Sequence, residues 1–164
     1  MCIRDRPATV VSLQAAAQPR AHAAPLAHPG STHQATDERA EEYFLLASSL
    51  DDGTVANQAS AALGYRRALE IDPSSAAAWN NVGLICIRIG RLDEAREALE
   101  QAHAHDAGNA DILVSLGSLA LKRADPGNAL RALQQALDLQ SGHPLAHANM
   151  ALTLAVFGLS LIHI

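Results

Sequence analysis

From Thr36 onward, apolar residues recur at helical spacing in short stretches, and Gly, Asp and Pro break the stretches apart. Each stretch runs about 14 residues, the length of an ordinary amphipathic helix. Over Asp37 to Leu50 the predicted apolar face is Tyr43, Phe44, Leu46, Ala47 and Leu50. Later stretches fall into register at a step of 34 residues. Trp79, Leu113 and His147 align, as do Val82, Leu116 and Met150, and the small residues Gly83, Gly117 and Ala151. Ala95 pairs with Ala129, Leu99 with Leu133 and Ala102 with Ala136, and one step back stand Ala61, Tyr65 and Ala68. A period of this length with helical spacing inside it predicts stacked helix pairs.

The small positions have a packing role. Gly83, Gly117 and Ala151 are expected to face Ala61, Ala95 and Ala129 across antiparallel helices, letting the axes approach while larger neighbours fill the gaps. Asp72-Pro73 ends a helix, because Pro disfavours helical backbone at the residue before it. Gly90 permits the turn inside one pair. Pro126, in Asp125-Pro126-Gly127, is placed to open a helix.

These residues resemble the tetratricopeptide repeat family. Its pattern of W-x2-L-G-x2-Y, A-x3-F and A is met by Trp79-x2-Val82-Gly83-x2-Cys86, Ala95-x3-Leu99 and Ala102. It is met again by Leu113-x2-Leu116-Gly117-x2-Ala120, Ala129-x3-Leu133 and Ala136. Gly90-Arg91-Leu92-Asp93-Glu94-Ala95 is similar to the family's inter-helix turn, and Ala68-Leu69-Glu70-Ile71-Asp72-Pro73 to its unit ending. Ala107 and Ser141 depart from the closing proline. The resemblance implies an all-α, right-handed solenoid of helix-turn-helix units, about three and a half of them. Residues 37–75 read as a degenerate or capping repeat, 76–109 and 110–143 as full repeats, and 144–158 as the first helix of a truncated one.

Residues 7–36 carry Pro7, Pro19, Pro25, Pro29 and Gly30 with little apolar periodicity, and read as a disordered linker. Its histidines, His22, His28 and His33, are irregularly spaced and suit a solvated segment better than a metal tract. The terminal hexapeptides, residues 1–6 and 159–164, match neither flank. The genetic code allows ATG TGT ATA AGA GAC AG for the first and CTG TCT CTT ATA CAC AT for the second, and these two strings are reverse complements. Both ends are therefore expected to be translated sequencing adapter on a fragment of a longer reading frame.

Alanine is the commonest of the 164 residues, with 34 copies, and aromatics make up only 3%, which suits closely packed helices. The formal charge of −5 becomes −6 without Arg4, Asp5 and Arg6. An acidic chain offers no cationic surplus to neutralise phosphates, so no nucleic acid is expected as a partner. The apolar run from Met150 to Ile162 is shorter than the roughly 18 residues a membrane span needs. No membrane partner is expected, and the expected location is the cytoplasm.

The chemistry of catalysis is missing from the pattern. Cys86 falls mid-helix at a core position, where a thiol is a packing group. His143 and His147 stand four apart but lack the Glu of a zincin motif. No phosphate loop and no metal or cofactor site is read, and no enzyme activity is expected.

The resemblance places a concave groove along the first helix of each unit. Its lining positions are Asn80; Asn81, Ser115 and Asn149; Leu84, Ser118 and Leu152; and Arg88 with Lys122. Asn carries a donor and an acceptor and can pair with the backbone of an extended peptide. The Asn81/Ser115/Asn149 set is similar to the asparagine ladder of O-linked N-acetylglucosamine transferases, with Ser115 interrupting it. Arg88 and Lys122 offer cations to an acidic ligand group. The lysine of the family's carboxylate clamp is absent, since Asn80 and Val114 occupy its place. The implied function is a scaffold for a protein or peptide ligand. The alternative is the recognition arm of a larger enzyme such as a glycosyltransferase. Leu145, Leu152, Leu154 and Phe157 on the last helix lack a partner helix and imply self-association through that end.

Overall fold

The computed structural model describes residues 29–158, with side chains described from residue 34. Seven helices follow one another: α1 (Pro29–Leu50), α2 (Val55–Ile71), α3 (Ala76–Arg88), α4 (Leu92–His105), α5 (Ala110–Lys122), α6 (Pro126–Leu139) and α7 (Pro144–Val156). The described residues contain no strand. Helices α1 and α2, α3 and α4, and α5 and α6 pack as pairs, and α7 packs on α6. The first helices of successive pairs also touch, α3 on α5 and α5 on α7.

The repeat governs both ends of the helices. Ser75, Asn109 and His143, each 34 residues apart, are the N-caps of α3, α5 and α7. Their side chains accept from the backbone N–H of Ala78, Asp111 and Ala146, satisfying donors that the first turn leaves free. Asp125 caps α6 in the same way through Asn128 N–H, with Pro126 at the first turn. The turn after each first helix needs left-handed backbone. Gly90 has φ 81° and Gly158 φ 61°, and between them Ala124 takes φ 57° at the same step of the repeat.

The core follows the predicted register. Ala61, Ala95 and Ala129 are fully buried, as are Leu99 and Leu133. A methyl group added at Gly83 would lie 2.6 Å from Leu99 Cγ and 3.5 Å from the Ala95 carbonyl oxygen. At Gly117 it would lie 2.8 Å from Leu133 Cγ and 3.5 Å from the Ala129 carbonyl oxygen. The close approach is therefore glycine against the leucine of the partner helix, beside the alanine backbone.

Two expectations about the N-terminal pair change. Helix α1 starts at Pro29, so residues 29–36 are helical rather than linker. Proline is compatible with a first helical turn, where its missing N–H has no partner to lose. The buried face of α1 is Ala40 and Ala47, with Phe44 and Leu50 half-buried, whereas Tyr43 and Leu46 are exposed. A spacing of seven between the two buried alanines sets a narrower stripe than the run of apolar residues suggested. Phe44 meets Tyr65 edge-on, ring centroids 5.3 Å apart, and closes this pair. The expected adapter hexapeptides and residues 7–28 of the expected linker lie outside the described residues.

Candidate functional site: the face lined by the first helices

The predicted groove residues come from α3, α5 and α7, whose mutual contacts set them side by side. The nearest link is polar. Asn149 Nδ2 on α7 donates to Ser118 Oγ on α5 at 2.9 Å, and Ser118 Oγ itself donates to the Val114 carbonyl at 2.9 Å. Ser115 is buried, and its hydroxyl donates to the Asp111 carbonyl at 3.0 Å. It therefore serves its own helix and does not carry an Asn81-to-Asn149 ladder.

Asn81 lies beside the buried Tyr65. Burial raises the pKa of the Tyr65 hydroxyl, while hydrogen bonding to Ser48 and Asn81 works against that rise. Asn80 is half-buried, and its Oδ1 is buried without a hydrogen-bond partner among the described residues. Leu84 is half-buried against the core, and Leu152 is 48% exposed.

The two cations differ. Arg88 is held in an ion pair by Asp51, in the turn between α1 and α2. Asp51 was not singled out by the sequence reading, because nothing in the periodicity of the first pair brings that turn to the end of α3. Lys122 is exposed and has no carboxylate within ion-pair distance among the described residues. Of the two, Lys122 is the cation that faces solvent unpaired.

His143 and His147 have structural partners. His143 Nε2 meets Asp111 Oδ1 at 2.8 Å, and His147 Nε2 meets the Ser141 carbonyl at 2.8 Å. Their different partners hold the rings apart. Among the described residues no group of three His, Cys, Asp or Glu side chains could hold a metal ion. Cys86 is buried, and burial, with the nearby Glu94 charge, pushes its thiol up. That disfavours the thiolate a nucleophile needs. No described helix is long and apolar enough to cross a membrane.

The tetratricopeptide repeat family model matches residues 74–142, which span α3 to α6. The fold is similar to the Arabidopsis OM64 TPR domain, with TM-score 0.68 and 15% identity over 74% of this chain and 98% of that one. It is similar to MamA, with TM-score 0.65 and 21% identity over 79% of this chain and 75% of that one. It is similar to YrrB, described as a TPR protein with an unusual peptide-binding site, with TM-score 0.61 and 28% identity over 79% of this chain and 66% of that one. No curated protein matches in sequence. Residues 74–142 match the tetratricopeptide repeat model, and the helix pairs have the fold of these TPR domains.

Proposed function

We propose that this chain is a protein-interaction scaffold that takes an extended peptide or a partner helix along the face of α3, α5 and α7. The observation that carries the reading is the Asn149–Ser118 hydrogen bond. It ties two successive first helices together, which supports a single ligand contacting both. The face offers a ligand Leu84 and Leu152 as apolar contacts, Asn81 and Asn149 as hydrogen-bonding amides, and Lys122 as an unpaired cation. The family-model match over residues 74–142 and the likeness to YrrB support the same reading. No chemistry is assigned to this stretch, and a cytoplasmic location belongs to the proposal. The outer side of α7, where Leu145 and Val156 are each 61% exposed, supports association through that end.

The test uses peptides selected from a random display library on the wild-type chain. Leu84→Asp and Asn149→Asp should each weaken the selected peptides by about tenfold, the scale of losing one buried contact. Circular dichroism should stay unchanged. Undiminished binding by both folded variants would move the ligand off this face.

A further inference from the structure

A cleft of about 240 Å³ opens where α1, the end of α2 and the start of α3 meet. Its floor is apolar, made by the buried Ala40 and Ala68 and the half-buried Phe44, and the exposed Ala77 also lines it. Asp37 and Glu41 stand one helical turn apart on α1 at its rim, and Asp72 joins them from the C-cap of α2. Asp72 Oδ1 is already taken by the Ser74 N–H and hydroxyl, at 3.0 and 2.6 Å. Asp37 and Glu41 are exposed, and neither has a cation within ion-pair distance among the described residues. An apolar floor under carboxylates that have no ion-pair partner among the described residues is complementary to a side chain that is apolar along its stem and cationic at its tip.

The same chain fills a related junction with its own residue. Two repeats later, the N-cap of α7 is His143, and its ring reaches the Asp111 carboxylate of the preceding first helix. The residue in that register at the α1–α3 junction is Ser75, which lines the cleft with a side chain too short to fill it. Ala77 also stands one turn before Asn80 and Asn81 on α3, so the same helix carries an edge of the cleft and the proposed binding face.

We infer that this cleft selects peptides carrying an arginine or lysine flanked by apolar residues, seating the cationic side chain between Asp37 and Glu41 over Phe44 and Ala40. The inference rests on the proposed peptide-binding role and names the ligand class for one end of that face.

The experiment titrates the ¹⁵N-labelled full chain with acetyl-Leu-Arg-Leu-amide and, separately, with acetyl-Leu-Glu-Leu-amide. The arginine peptide should shift the amides of Ala40, Phe44, Ala68 and Ala77 and bind about fivefold tighter than the glutamate peptide, the scale of two partly exposed ion pairs. Asp37→Asn with Glu41→Gln should remove that preference and leave the melting temperature unchanged. Equal binding of the two peptides, or no shift at these amides, overturns the inference. If shifts persist at Ser118 and Asn149 alone, the binding face stands and the cleft falls. If the cleft amides shift with protein concentration and no peptide, a second copy fills it and the inference fails.

Discussion

His143 links two repeats while capping one of them. Its Nδ1 accepts from the Ala146 N–H at 3.3 Å, so Nε2 carries the proton and donates to Asp111 Oδ1 at 2.8 Å. The ring is buried, whereas the Asp111 side chain is 76% exposed. The cap is therefore worth more than the inter-helix bond, which water weakens. His143→Ala should cost about 1–2 kcal/mol in urea unfolding, through the lost cap and the lost ring packing. His143→Asn keeps a capping acceptor and should recover about half of that. Two variants of equal stability would show that the cap contributes nothing.

Gly83 and Ala151 occupy the same repeat position with opposite surroundings. Gly83 is pressed by Leu99, and an added methyl would lie 2.6 Å from Leu99 Cγ. Ala151 is exposed, with no following helix described to cover it. Gly83→Ala should destabilise by about 1–3 kcal/mol through overpacking. Ala151→Leu should change stability by less than about 0.5 kcal/mol, as an exposed substitution does. Equal effects in thermal unfolding would mean that the close approach, and not the register, has been misjudged.

Ala124 sits in left-handed backbone, φ 57°, where Gly90 and Gly158 stand one repeat away on either side. Left-handed backbone costs a residue with a Cβ about 1–2 kcal/mol. Glycine brings back about 0.4–1 kcal/mol of unfolded-chain entropy. The first exceeds the second, so Ala124→Gly should raise stability by up to about 1 kcal/mol, and Gly90→Ala should lower it by a similar amount. A lower denaturation midpoint for Ala124→Gly would overturn this account of the turn.

The repeat was legible because its determinants are local or periodic. Trp79, Gly83, Ala95 and Leu99 must recur wherever helices cross at the same distance, so a fixed step exposes them. Pro126 and Gly90 punctuate by their own backbone preferences. The N-cap role of His143 was hidden, because histidine is not among the side chains that usually cap a helix. Helix α1 departs from its sequence pattern at its start and on its face. A run of five apolar residues from Tyr43 to Ala47 supports more than one stripe, and only packing against α2 selects Ala40, Phe44 and Ala47.

The candidate site divides along the same line. The sequence by itself determined the helix pairs and their register, because these follow from a period and the pitch of a helix, and it proposed which positions of α3, α5 and α7 make the binding face. Tertiary structure alone decided what each polar side chain on that face can still do. Arg88 is held by Asp51 across 37 positions, Ser115 bonds within its helix, and Asn149 reaches Ser118, while Lys122 has no ion-pair partner among the described residues. Such choices depend on how far one helix slides past the next and how far a side chain reaches, and neither quantity is written in the repeat.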